Sequence, residues 1–129
     1  MKDDTILFSF AGFVRKDKGR GKNLGYPTAN IDISPDLPEG IFLGYAKHEQ
    51  QSYPSLIFIG APITFNELDK KAEIYFLNGK KNINLYDHFL EVAVLKKIRD
   101  NKAFASKKEL IQAMNKDEAI AKEFFNIAN

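Results

Sequence analysis

Short segments rich in apolar, aromatic and β-branched residues, bounded by glycine, proline and polar residues, run through most of the first hundred positions, and apolar residues recur at every second position in 31–33 and 90–94. Such segments are typical of β-strands with one buried face. The pattern predicts strands at 5–14, 31–33, 41–46, 55–59, 72–77 and 85–98. Because no helical periodicity separates them, we predict a mainly β fold, a six-stranded antiparallel closed barrel in which closure removes the exposed sheet edges.

The connections between these segments carry turn signals. Residues 34–40 contain two prolines and a glycine and form the clearest loop of the chain. The polar stretch 47–52 joins two predicted strands and indicates a hairpin or a meander. Asn78-Gly79 follows strand 72–77 directly, and this dipeptide is a strong turn signal.

The periodicity becomes helical in the last quarter of the chain. Ser106-Lys-Lys-Glu109 is a capping box, in which a hydroxyl and a carboxylate satisfy backbone N–H groups at a helix start. Two segments with apolar residues at helical spacing follow, one on each side of Asn115: Leu110, Ile111 and Met114, then Ile120, Phe124 and Ile127. We predict that C-terminal helices, at about 106–127, pack against a barrel at about 5–98, and that residues 1–129 form a single domain.

The composition narrows the chemistry. With 129 residues, 44% of them hydrophobic, the chain can build a core without metal or disulfide staples. The absence of cysteine excludes disulfides, thiolate nucleophiles and cysteine-ligated metal centres, and it favours a reducing, cytoplasmic location. The apolar N-terminal stretch is interrupted by Ser9 and Gly12 and is too short to span a bilayer, so we expect no membrane association.

The charge distribution is more informative than the net charge. The chain has 19 Lys and Arg residues against 17 Asp and Glu residues, and the resulting charge of +2 is too small for a non-specific nucleic-acid binder. Residues 15–22, however, contain five basic side chains and one acid, and glycines lie at positions 19, 21 and 25. Glycines let consecutive backbone N–H groups face phosphate oxygens, so we predict an anion site in this loop. It is neither of the two familiar nucleotide loops, because no Gly-Lys-Ser/Thr ends it and no helical pattern follows it.

The residues from Gly19 to Asn30 resemble the signature of the riboflavin kinase family, in which a loop containing Gly-Arg-Gly leads to Leu-Gly-x-Pro-Thr-Ala-Asn. Further matches follow in the family's order, and the resemblance extends from about Phe10 to about Ala121. They are Gly40-Ile-Phe-Leu-Gly44, Ile59-Gly60, Thr64-Phe65, Glu73, Leu85-Tyr86, Ile98-Arg99, Lys102, Phe104 and Ser106.

The resemblance implies direct, in-line transfer of a phosphate from ATP to riboflavin, which makes FMN, with Mg²⁺ as the cofactor. It implies that Thr28 and Asn30 hold the metal ion and the nucleotide phosphates, and that Glu73 is the catalytic base. The remaining phosphate-binding residues would be Gly19, Arg20, Gly21, Lys22, Gly25 and Pro27. The flavin-binding candidates are Arg99 and Phe104, from the segment that leads into the C-terminal helix, and Leu110 and Met114, from one face of that helix.

Structural alternatives exist for each of these residues. A lone glutamate on a strand, such as Glu73, is ordinarily the outward polar member of the alternation. Thr28 can equally fill a turn and Asn30 can form an Asx turn. Arg99 can pair with a nearby carboxylate, and Phe104 and Met114 fit core packing better than flavin contact. His48 and His88 share no metal-ligand spacing, so both are expected to be surface residues outside the mechanism.

The match to the family departs at three connections. The proline that usually precedes the family's threonine directly stands one position earlier, at Pro62 before Ile63-Thr64. Asn78-Gly79 replaces Asp-Phe after the glutamate strand, and Asp87 replaces the glycine after Leu-Tyr. These departures are expected to alter affinity or substrate detail before they alter the reaction.

Two questions about the whole protein stay open at this stage. Bacterial members of the family generally carry the kinase module behind an adenylyltransferase domain that converts FMN to FAD, so the chain is either a single-activity kinase or one module of such a protein. The starting Met1 and a complete barrel favour the former. We expect a monomer with small-molecule substrates only and no nucleic-acid partner.

Two other functions are compatible with a small barrel. One is a barrel of the same fold that binds flavin or nucleotide without turnover, although Thr28, Asn30 and Glu73 are all present. The other is a binder of single-stranded nucleic acid, which would need aromatic residues alternating with Lys or Arg on an exposed strand face. The aromatic residues are expected to be mostly interior, and the basic cluster is confined to one loop.

Overall fold

The computed structural model describes residues 5–15, 28–61, 70–77 and 85–128. They form six strands followed by a helix: β1 (Phe8–Arg15), β2 (Ala29–Asp32), β3 (Gly40–His48), β4 (Gln51–Gly60), β5 (Lys71–Phe76), β6 (Phe89–Arg99) and α1 (Lys107–Phe124). All six predicted strands are present. Strand β4 begins four residues earlier than its apolar segment, because polar residues from Gln51 onward pair with β3 across a tight hairpin.

The strands close into a barrel in the order β1-β2-β5-β4-β3-β6, and every neighbouring pair is antiparallel. The prediction of a six-stranded antiparallel closed barrel is therefore confirmed. Closure depends on β2 pairing with β5 and on β1 pairing with β6, and in both cases the partners are distant in sequence.

Two cores lie on opposite faces of the same strands. In β3, Phe42 packs into the barrel interior, whereas its neighbours Ile41 and Leu43 pack on the outer face beneath α1. This is the period-2 alternation that burial on both faces of a strand requires. The barrel interior is densely apolar, and its fully buried side chains include Ile31, Ile57, Ile59, Ile74, Leu90, Val92 and Val94.

An aromatic pair departs from the expectation that aromatic residues are interior. Phe13 and Phe89 are directly paired across β1 and β6, and their rings meet edge to face with centroids 5.0 Å apart. Both remain substantially exposed, at 56% and 45% of their surface. The pair is an exposed cross-strand contact at the end of the barrel where β1 ends and β6 begins.

Helix α1 begins at the predicted capping box. The Ser106 hydroxyl accepts a hydrogen bond from the backbone N–H of Glu109 at 3.2 Å, and the Glu109 carboxylate accepts one from the N–H of Ala105 at 3.1 Å. The two helical segments predicted around Asn115 are one continuous helix, because no proline or glycine interrupts residues 107–124. In the described part of the chain there is no helix with the length and apolar character needed to cross a membrane.

Candidate functional site

The pairing of β2 with β5 brings three of the predicted site residues together. The hydroxyl Oγ1 of Thr28, immediately before β2, donates a hydrogen bond to Oε1 of Glu73 in β5 at 3.2 Å. These residues are 45 positions apart in the chain, and the contact is partly buried. The glutamate that a strand alternation would leave pointing to solvent is therefore engaged by the threonine of the Pro-Thr-Ala-Asn segment.

Asn30 completes this group. It stands directly opposite Glu73 in the β2–β5 register, where facing Cβ atoms are about 5 Å apart. Its side chain is 4% exposed, and its amide oxygen Oδ1 is buried. An amide buried in a barrel wall is costly unless polar groups meet it, so its placement beside a carboxylate indicates a site built for polar chemistry.

The donor set of this triad, Thr28, Asn30 and Glu73, fits a hard divalent cation. A hydroxyl, an amide oxygen and a carboxylate are the protein ligands that Mg²⁺ prefers. The Thr28 hydroxyl donates its single hydrogen to Glu73, and its oxygen keeps lone pairs that can bind a cation. The chemistry of these groups therefore agrees with the predicted magnesium and phosphate site.

The predicted phosphate loop lies outside the described residues. It contains Gly19, Arg20, Gly21, Lys22, Gly25 and Pro27. The departures from the family at 62–64 and 78–79 also lie outside the described residues. Both ends of the loop are described, and they meet at the triad. Arg15, the last residue of β1, pairs with Asn30, and Thr28 follows the loop directly.

Arg99, the first flavin candidate, is the last residue of β6 and is held by an ion pair. Its Nε and Nη2 donate hydrogen bonds of 2.8 and 2.7 Å to the two carboxylate oxygens of Asp117 in α1. The Asp117 side chain is only 2% exposed, so this bidentate pair ties the helix to the barrel. Nearby, the hydrogen bond and positive charge of Lys97 hold the pKa of the exposed Asp100 carboxyl below its usual value.

The other three flavin candidates surround the start of α1. The Phe104 ring is half-buried and lies 5.8 Å from the Arg99 guanidinium carbon and 5.7 Å from the Lys102 ammonium. Met114 is buried in the core between α1 and the barrel, and Leu110 packs against the same core. Met114 therefore has the core-packing role that was its structural alternative, whereas Phe104 is only partly buried.

Asp87 occupies a position that suits glycine. Its backbone φ is +69°, in the left-handed region that side chains disfavour and that Asp tolerates better than most residues. Its N–H donates to the carbonyl oxygen of Val14 at 2.9 Å, which fixes the chain just before β6. This positive φ explains why glycine, which adopts it without strain, suits the position after Leu-Tyr. Asp87 adopts the same backbone conformation with a side chain.

The expectation that both histidines are surface residues is wrong for His48. Its side chain is 4% exposed, and Nε2 lies 2.8 Å from Nδ1 of the exposed His88. The pairing of β3 with β6 brings together two residues that are 40 positions apart. Their spacing in the sequence carried no signal, and only knowledge of that strand pairing would have revealed the contact.

Known proteins are similar to this chain in sequence and in fold. A family model described as riboflavin kinase, the Flavokinase model, matches residues 5–125. The bifunctional riboflavin kinase/FMN adenylyltransferase of Buchnera aphidicola (Acyrthosiphon pisum) is 34% identical over 126 residues, which cover 94% of this chain and 40% of that protein. The chain therefore spans about two fifths of the length of this relative.

Two solved structures resemble the model. A Streptococcus pneumoniae chain described as a macrolide-efflux protein superposes with a TM-score of 0.75 at 26% identity, over 88% of this chain and 38% of that one. Riboflavin kinase from Trypanosoma brucei superposes with a TM-score of 0.67 at 21% identity, over 96% of this chain and 83% of that one. At that identity the second likeness concerns the fold alone.

Proposed function

The chain belongs to the riboflavin kinase family, and we propose that it transfers the γ-phosphoryl group of ATP to the terminal ribityl hydroxyl of riboflavin, which yields FMN and ADP. The observation that carries this proposal is the convergence of Thr28, Asn30 and Glu73 on the β2–β5 pair. A barrel that binds a metal–nucleotide without turnover could use the same oxygen ligands, but a carboxylate oriented by a hydroxyl is also what proton transfer from a substrate hydroxyl needs. The family match includes the whole barrel and all of α1.

Glu73 acts as the general base in this proposal. Phosphoryl transfer needs little covalent chemistry from the protein, but it benefits from a carboxylate that accepts the proton of the attacking hydroxyl. The riboflavin oxygen forms a bond to the γ-phosphorus, the bond between that phosphorus and the bridging oxygen of ADP breaks, and the hydroxyl proton moves to Glu73. The hydrogen bond from Thr28 orients the carboxylate for this step.

Thr28 and Asn30 are the residues that would hold Mg²⁺, through a hydroxyl oxygen and an amide oxygen. When bound, Mg²⁺ neutralises charge on the nucleotide phosphates and on the transferring group. The register of Asn30 opposite Glu73 and its burial support this role. We propose direct transfer to the riboflavin hydroxyl, with no phosphoenzyme.

The loop between β1 and β2 is proposed to bind the nucleotide phosphates. Its glycines at 19, 21 and 25 permit close approach of backbone N–H groups, and Arg20 and Lys22 add positive charge. The support from the fold is that the loop leaves β1 at Arg15 and returns at Thr28, both beside the triad. Both described ends of the loop thus lie near Glu73, which supports a phosphate site on that side of the barrel.

Riboflavin is proposed to bind on the segment that leads into α1. Phe104 is the residue best suited to stack on a flat ring, because it is half-buried and already faces two cations. Arg99 positions this segment through its ion pair with Asp117. Leu110 and Met114, which pack in the core between α1 and the barrel, support the helix that this segment leads into.

The direct test is an assay of the purified chain with riboflavin, ATP and Mg²⁺, in which riboflavin, FMN and FAD are separated by chromatography with fluorescence detection. We expect FMN to form without FAD. If riboflavin and ATP bind but no FMN forms, the proposal is wrong and the chain is a binding barrel. A preparation that binds neither compound, while remaining folded, would also contradict it.

A further inference from the structure

The two histidines of the chain meet in one place. His48 is the last residue of β3, and His88 directly precedes β6. Nε2 of His48 and Nδ1 of His88 are 2.8 Å apart, and the ring centroids are separated by 5.0 Å. Two imidazoles that bring facing nitrogens this close, from separate strands, provide the beginning of a ligand set for a transition metal.

Glu49 adds a carboxylate to the pair. Its Oε1 lies 3.8 Å from Nδ1 of His48, and one potential ligand atom from each of the three residues lies within 4.8 Å of the others. Glu49 and Gln50 form the two-residue turn between β3 and β4, and both have left-handed φ values, +49° and +73°. Residues with side chains disfavour this region, so the hairpin holds Glu49 beside His48 at a conformational cost.

The surroundings suit a bound ion with water ligands. The three side chains line a surface cavity of about 320 Å³, together with Lys47, Gln50, Phe89 and Glu91. His48 is buried and therefore fixed, whereas His88 and Glu49 are exposed and can adjust. Lys47 and Glu91 face each other with a 3.9 Å separation between the ammonium nitrogen and a carboxylate oxygen, so they offset each other's charge at the rim.

We propose that His48, His88 and Glu49 bind one divalent transition-metal ion, with Zn²⁺ as the first candidate. Two imidazoles and a carboxylate, completed by water, are an established donor set for zinc. Imidazole nitrogen favours Zn²⁺, Ni²⁺ and Cu²⁺, whereas Mg²⁺ prefers oxygen. The site thus selects a different class of cation from the all-oxygen triad of Thr28, Asn30 and Glu73.

Small movements convert the present contact into a coordination site. A separation of 2.8 Å corresponds to a hydrogen bond between the imidazoles, and one facing nitrogen must carry its proton. Two nitrogens on a tetrahedral ion, each about 2.05 Å from it, are about 3.3 Å apart. The two nitrogens therefore have to separate by about 0.5 Å, and the exposed His88 ring has to swing sideways so that its lone pair and that of His48 converge on the ion instead of facing each other. The shared proton shifts to the other nitrogen of the same ring, so both facing lone pairs point at the metal and no proton is lost.

Zinc binding by this site can be tested directly, because the chain contains two histidines and no cysteine. Chelator-treated protein is titrated with Zn²⁺ by calorimetry, and the imidazole C2–H resonances are followed by NMR in a parallel titration. The two resonances therefore belong to this pair. We expect saturable binding of one equivalent, with both resonances shifted. Absence of saturable binding overturns the proposal, and so does binding that leaves both resonances unchanged, since that places the ion elsewhere.

Variants separate the ligands from general charge attraction. His88→Gln removes a ligand at an exposed position and should lower the Zn²⁺ affinity at least about tenfold, and Glu49→Gln should act in the same direction. Glu91→Gln is the matched control, because it removes a charge from the same cavity without touching the three ligands, and it should leave the affinity unchanged. Circular dichroism and thermal unfolding establish that each variant is folded. Wild-type affinity in His88→Gln, or an equal loss in Glu91→Gln and Glu49→Gln, contradicts the assignment.

Discussion

Thr28 and Glu73 are joined by a 3.2 Å hydrogen bond that spans 45 residues of sequence and links β5 to the residue immediately before β2. The donor is the threonine hydroxyl and the acceptor is Oε1 of the carboxylate. One contact therefore orients the proposed base and leaves the threonine oxygen's lone pairs available to a cation. The account of catalysis depends on this link.

Removal of the Thr28 hydroxyl should weaken the response to Mg²⁺ and the rate together. Thr28→Ala deletes both a cation ligand and the hydrogen bond to Glu73, and the loss of a hydrogen bond to a charged group costs about 1.5–3 kcal/mol. We expect kcat/KM to fall about 10-fold to 100-fold. The Mg²⁺ concentration needed for half-maximal rate should rise. Initial rates over a series of Mg²⁺ concentrations measure both effects.

Thr28→Ser is the matched control, because it keeps the hydroxyl and removes only a methyl group. It should restore most of the rate and the normal Mg²⁺ dependence. A Thr28→Ala variant whose Mg²⁺ dependence matches the wild type would remove Thr28 from the metal site.

The ion pair between Arg99 and Asp117 should be a major source of stability. Arg99→Leu leaves the Asp117 carboxylate buried at 2% exposure without its bidentate partner. Breaking a buried pair from one side costs about 3–5 kcal/mol. We expect the free energy of unfolding, measured by urea denaturation, to fall by about this amount.

Lys97→Ala provides the comparison for that variant. It removes the ion pair with the exposed Asp100, and exposed pairs contribute little. The urea midpoint should stay unchanged within error, while the pKa of Asp100, followed by NMR, should rise toward its ordinary value. If Arg99→Leu is no more destabilising than Lys97→Ala, the pair does not anchor α1 to the barrel.

Asp87 should be replaceable by glycine with a gain in stability. Its φ of +69° strains a residue with a side chain, and glycine removes this strain although it loses more chain entropy on folding. We expect Asp87→Gly to raise the free energy of unfolding by about 0.5 kcal/mol.

A second aspartate controls for that substitution. Asp36 is also exposed and lies in a turn, but its φ is not positive, so its backbone is not in the left-handed region. Asp36→Gly should therefore destabilise the chain, because only the entropic cost remains. Equal effects of the two substitutions in thermal unfolding would show that backbone strain at Asp87 is negligible.

The barrel was largely predictable, because period-2 alternation marks strands locally. The six strands, the hairpin between β3 and β4 and the capping box at Ser106 all follow from patterns within a few residues. Helix α1 was predicted as two segments, since Asn115 looked like a boundary. The helix continues through it because neither proline nor glycine interrupts residues 107–124.

Long-range pairing was the part that local patterns could not supply. A family resemblance singled out Thr28, Asn30 and Glu73. Their proximity depends on the pairing of β2 with β5, two strands that β3 and β4 separate in the sequence. No family motif pointed to His48 and His88, so their contact was missed. Interactions across non-consecutive strands have no periodicity in the sequence.

The most direct test of the central claim replaces Glu73 with glutamine and measures FMN formation beside the binding of ADP and riboflavin. Glutamine keeps the size and the hydrogen-bond acceptor for Thr28 but cannot accept the substrate proton, so the rate should fall about 10²-fold to 10⁴-fold while both dissociation constants stay near wild type. Glu91→Gln, an exposed glutamate on β6, should retain the wild-type rate. A Glu73→Gln variant that makes FMN at a near-normal rate would contradict the account, because the carboxylate would then not be the base.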